Sequence, residues 1–129
     1  MSATLIDSGV VTVADLAGLL PAGVRDRIGP ELLRERPSAS ALRVLATIKN
    51  PFWHAHVRGA NIAWPALLAD VRGLASTTGS VLIRAEIAAS LAGHVGLRVT
   101  LLDAARRLDG GNFLAVLDAM RIANRGLTS

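Results

Sequence analysis

Residues 100–124, TLLDAARRLDGGNFLAVLDAMRIAN, decide the class of fold. Thr100 with Asp103 three places on has the form of a capping box, in which a hydroxyl and a carboxylate satisfy each other's free backbone amides at a helix start. Leu101, Leu102, Ala105 and Leu108 then recur at helical spacing and are expected inward, with Arg106 and Arg107 outward. Asp109-Gly110-Gly111-Asn112 breaks the chain, and Asp109 suits the cap of the next helix. Over 112–124 the apolar stripe is expected to be Phe113, Val116, Leu117, Met120 and Ala123. That stripe leaves Asp118, Arg121, Ile122 and Arg125 to the side. Two short capped helices joined by a tight break make a helix-packing architecture.

The pattern continues toward the amino terminus. Residues 80–92 are apolar on every side apart from Arg84 and Glu86, which predicts a helix at the centre of a bundle. The Ser/Thr/Gly tract at 76–80 is the one place where the chain would subdivide. Trp64-Pro65 starts a helix toward Ala75, and Ser38 is expected to cap another through Lys49, ended by Asn50-Pro51. Residues 51–58 predict a further helical turn, after which Gly59-Ala60-Asn61 loosens the chain. Pro21 and Pro30 open short pieces, and Thr12 with Asp15 repeats the capping-box form. Residues 3–13 read as an extended arm, a short hairpin or a frayed terminus. The expected fold is all-α, a compact single-domain bundle of about five to seven short helices with that N-terminal segment attached.

Composition agrees. A chain of 129 residues suffices for one buried core. It is 51% hydrophobic with two Phe, two Trp and no Tyr, so Ala, Leu, Val and Ile must build that core. Small side chains let helices approach closely, and the apolar excess favours self-association or docking on a partner. The absence of cysteine excludes disulfides and thiolate metal sites and suits a reducing compartment. No basic leader is visible, and Asp7 interrupts the first apolar run. Uncharged windows such as 59–69 and 87–97 are shorter than the roughly 20 apolar residues of a membrane span. The expected location is the cytoplasm.

The net charge of +4 is uneven. Residues 38–76 carry four bases against Asp70 alone. Within them Arg43, Lys49, Phe52, Trp53, His54, His56 and Arg58 form a basic-aromatic segment. Cations that meet phosphates beside rings that stack on bases would suit a nucleic acid or another anion. Against this, Phe52 and Trp53 are half of the chain's aromatic residues, and so scarce a resource suits core anchoring or a protein interface. The last two helices resemble a helix-turn-helix only loosely, since Asp118 beside Arg121 and Arg125 would repel phosphate.

Little points to catalysis. There is no Gly-rich phosphate loop with Lys, no Gly-x-Ser-x-Gly elbow and no thiol nucleophile. Asp15, Asp103 and Asp109 are explained as caps, and Glu31 and Glu35 lie among arginines. On a helix His54 and His56 project about 200° apart, so a metal would need strand geometry and a third ligand such as His94 or Asp70. No cofactor and no metal are expected.

Ser80, Ala85, Ala89-Ser90-Leu91, Leu102-Asp103-Ala104, Leu108-Asp109 with Asn112, and Val116-Leu117 with Ala119 together resemble the C-terminal part of small uncharacterised helical proteins of actinobacteria. The resemblance is confined to the C-terminal residues from 80 onward and implies a small helical cytoplasmic protein, with no activity to carry over. The Arg-for-Lys bias and the abundance of Ala and Gly fit a high-GC bacterial gene. The sequence therefore predicts a non-catalytic protein–protein interaction protein, a homo-oligomer or a subunit of a larger assembly. Its interface candidates are Phe52, Trp53, Arg121, Ile122 and Arg125. The alternative is a small nucleic-acid-binding regulator using Arg43, Lys49, Trp53, His54, His56 and Arg58.

Overall fold

Thr12, Thr100 and Asp109 start three of the helices by accepting backbone amides, and prolines divide the N-terminal half into short pieces. A computed structural model describes residues 9–74 and 79–128. Its α-helices are α1 (Val13–Leu19), α2 (Ala22–Arg25), α3 (Pro30–Arg34), α4 (Arg36–Leu45), α5 (Trp64–Gly73), α6 (Gly79–Leu91), α7 (Leu101–Arg107) and α8 (Gly110–Arg125). A 3-10 helix, Pro51–His56, precedes two-residue strands β1 (Val57–Arg58) and β2 (Asn61–Ile62). The fold is predominantly all-α, as the sequence predicts. α2 and α3 are little more than single turns, each entered at a proline.

Both capping boxes form. The Asp15 amide donates to Thr12 Oγ1 at 3.0 Å while the Thr12 amide donates to Asp15 Oδ2 at 3.0 Å. Thr100 and Asp103 repeat the exchange at 3.0 and 3.1 Å. Asp109 caps α8 by accepting the Asn112 amide at 2.8 Å. Each such cap is worth about 1 kcal/mol of helix stability. Ser38 is not the cap expected of it. α4 begins two residues earlier, at Arg36, and Ser38 is buried with its hydroxyl donating to Glu35. Pro37 is tolerated in the first turn, where no helical amide bond is lost.

The loosened stretch at Gly59-Ala60 is a tight hairpin turn, with Val57 opposite Ile62 and Arg58 opposite Asn61. Gly59 has φ 61°, a left-handed conformation that glycine adopts without strain. Its amide donates to Arg27 O and its carbonyl accepts from Gly29, both at 2.8 Å, which fastens the hairpin to the segment between α2 and α3.

One apolar cluster runs from Val10 through Trp53 to Ile122 and takes side chains from both sides of residues 76–80. α4 packs most extensively on α8 and then on α6. The central position predicted for α6 is found, with every side chain from Ile83 to Ala89 buried. The two chain ends meet. Val13 N donates to Thr128 O at 2.9 Å and Thr128 N to Val11 O at 3.0 Å. Of the expected N-terminal arm, residues 1–8 lie outside the described residues. Val10–Val13 are pinned to this chain's own C-terminal segment.

Candidate protein-docking face

Three largely buried charges, Arg84 and Glu86 on α6 and Asp118 on α8, bind partners distant in sequence and position the C-terminal helices. Glu86 of α6 is buried and pairs with Arg72 Nη2 of α5 at 2.9 Å. Its other oxygen accepts the amides of Arg98 and Val99, each at 3.0 Å. Glu86 thus holds the loop that delivers α7. Burial pushes its carboxyl upward, but the bonds from Arg72, Arg98 and Val99 outweigh this and keep it below the ordinary range. Arg84, also buried, donates to Thr47 O at 2.9 Å and Thr47 Oγ1 at 3.0 Å, meeting a carbonyl and a hydroxyl just beyond the end of α4. Asp118 of α8 accepts from Arg43 Nε of α4 at 2.8 Å, from Arg121 at 2.7 Å and from the Val10 amide at 2.9 Å.

This framework turns α8 so that Ala115, Val116, Ala119 and Ile122 are buried. The expected stripe is therefore corrected. Ile122 is fully buried, while Leu117 and Met120, expected inside, are exposed together with Leu114. On α7 only Ala104 is buried; Leu101 is 81% and Leu102 58% exposed, against their expected burial. Leu108, the residue after α7, is buried as expected. Val95, in the loop before α7, is exposed as well. Bulky apolar side chains in water are costly at roughly 25 cal/mol per Å² of apolar surface, so a cluster of them on adjoining helices is a feature to explain. Between the helices is an open cleft of about 260 Å³ lined by Ile87, Leu91, Val99, Leu101, Val116 and Met120. That is smaller than the roughly 300–1,000 Å³ of small-molecule sites and suits an inserted side chain or two.

The basic-aromatic segment at 43–58 is not a continuous surface. Trp53 is fully buried and its indole donates to Ile48 O at 3.0 Å, so it has no face for a base or a partner. Phe52 is half-buried against the core. Arg43 is held by Asp118. His56 Nε2 lies 2.5 Å from Asp70 Oδ2. His54 sits edge-on to Trp53, with ring centroids 4.5 Å apart and its Nε2 buried without a partner. Lys49 and Arg58 are exposed. Arg121 and Arg125 lie at the end of α8, the former tied to Asp118 and the latter exposed. Among the described residues no three His, Cys, Asp or Glu side chains come together as a metal set, and no helix is long and apolar enough to cross a membrane.

The exposed leucines were missed because α8 carries apolar residues on both flanks, so its spacing fits two stripes. The sign of the second stripe was present in Leu114, which belongs to neither the expected core nor a polar face.

No protein-family model, curated protein or solved structure matches the chain.

Proposed function

We propose that the protein is a non-catalytic interaction protein that docks on another protein surface through α7 and α8. The observation that carries this reading is the set of exposed apolar side chains Leu101, Leu102, Leu114, Leu117 and Met120 on α7 and α8, of which Leu101 and Met120 line one apolar cleft. Interfaces of this kind bury a central apolar patch inside a polar rim. The carboxylates of the C-terminal half support it, because Glu86, Asp103, Asp109 and Asp118 are each committed to a cap or an ion pair.

Size measurement by light scattering, alone and with candidate partners, tests the reading. A complex or oligomer that dissociates when Leu102→Glu and Leu117→Glu are combined is the expected result. A complex untouched by that double variant, or a protein that stays monomeric against every partner offered, would overturn it.

A further inference from the structure

The charge around the docking face selects its occupant. This inference rests on the reading above and specifies the partner. From Gly79 to Thr128 the described carboxylates are Glu86, Asp103, Asp109 and Asp118, all engaged within the chain. The arginines are not so consumed. Arg98, Arg106, Arg107 and Arg125 are exposed, and among the described residues none of them has a carboxylate within ion-pair distance.

Arg106 and Arg125 follow the apolar patch. Arg106 is one helical turn beyond Leu102, on the same side of α7. Arg98 lies apart from the cleft, lining with Glu86 and Leu82 a separate depression. Arg125 stands on α8 two turns past Leu117. The face is therefore apolar at its centre with Arg106 and Arg125 toward its margin, and the exposed or half-exposed carboxylates near it, Asp103 and Asp109, are taken up as helix caps.

We infer that the occupant is an acidic amphipathic helix of a different protein, its leucine-type side chains entering the cleft and its Glu or Asp residues meeting Arg106 and Arg125. A second copy joined through the same face is disfavoured. A two-fold contact would set that arginine margin against itself, and like charges opposed across an interface are repulsive. Helix-in-groove recognition reads anchors at i, i+3, i+4 and i+7.

The probe is a synthetic helical peptide of about 20 residues, long enough to hold helical structure, with leucines at that spacing and Glu on its flanks. A second peptide carries Lys in place of each Glu. Binding is followed by amide chemical shifts of the labelled full chain, which register weak complexes. The Glu peptide is expected to shift residues of α7 and α8 and to bind at least about tenfold tighter than the Lys peptide at low salt, with the gap closing as salt screens the margin. Combining Arg106→Glu with Arg125→Glu should reverse that preference, with circular dichroism confirming the fold. Equal affinity for the two peptides would overturn the acidic partner while leaving the docking face standing. A dimer broken by Leu117→Glu would make the occupant a second copy. No shift with either peptide, in a monomeric protein, would overturn the face and its occupant together.

Discussion

Arg43 Nε donates to Asp118 Oδ2 at 2.8 Å, joining the last turn of α4 to the middle of α8 across the most extensive helix contact among the described residues. Both side chains are largely buried, at 15% and 9% exposure. Removing one partner of such a pair leaves the other charge without compensation, which costs more than the pair itself contributes. Arg121 and the Val10 amide still serve Asp118, so Arg43→Ala is expected to cost about 2 kcal/mol rather than the full 3–5 of an isolated buried pair. Urea unfolding at neutral pH measures this. An unchanged midpoint would show that the pair is not formed.

Acid should unfold the protein through the same framework. Burial raises the Asp118 carboxyl, but Arg43, the Val10 amide and Arg121 together hold it below its ordinary value, and Glu86 behaves alike through Arg72 and two loop amides. A carboxyl depressed in the folded state contributes stability that is present above its unfolded pKa, about 4, and lost as pH falls through the lower folded value. Thermal midpoints should therefore hold steady above that point and drop below it. Glu86→Gln should lower the midpoint at pH 7 and flatten the acid slope. A slope identical to that of the parent would refute the assignment.

A second acid effect should begin earlier. His54 is pushed below its ordinary pKa, first by burial and then by the charge of Arg27, whose Nη2 donates to the His54 carbonyl at 2.8 Å. The unfolded chain then takes up the proton first, so stability is full above about pH 6.5 and declines as pH falls below it. His54→Phe keeps a ring against Trp53, leaves the carbonyl for Arg27 and removes the buried Nε2 that has no partner. It is expected to raise stability by about 1 kcal/mol, the order of cost for an unsatisfied buried polar atom. Denaturant titrations from pH 7.5 to roughly 5.5 should lose their upper slope in this variant. Retention of that slope would place its origin at another group.

The fold class was legible because its signals are local. Thr12 with Asp15, Thr100 with Asp103, and Asp109 with Asn112 act within three residues, and each forms as read. The central position of α6 was legible from apolar residues on all its sides. What its sequence could not tell is why Arg84 and Glu86 are buried there. Their partners are Thr47, Arg72 and the 98–99 amides, brought together only by tertiary packing. The site was less legible for the same reason. Arg43 and Trp53 look like a ligand-facing pair in sequence, but their partners, Asp118 and the Ile48 carbonyl, turn both inward.

The rotation of α8 gives the sharpest test. Phe113, Val116, Leu117 and Met120 fit a helical stripe as well as Ala115, Ala119 and Ile122 do, and period alone does not choose between them. Packing chooses, since the small Ala119 in the core cluster suits the close contact of α8 with α4, whose Ser38, Ala39, Ser40 and Ala41 are all buried. Ile122 completes that contact and is fully buried, whereas Leu117 is 46% exposed. Ile122→Ala should therefore cost about 3 kcal/mol through lost burial and the cavity left behind. Leu117→Glu should stay within about 0.5 kcal/mol, as surface substitutions do, while weakening any complex formed through this face. Unfolding curves of the two variants side by side decide the matter. The opposite order, with Leu117→Glu the more damaging, would return α8 to the stripe that its spacing alone suggested and remove the apolar face from the surface.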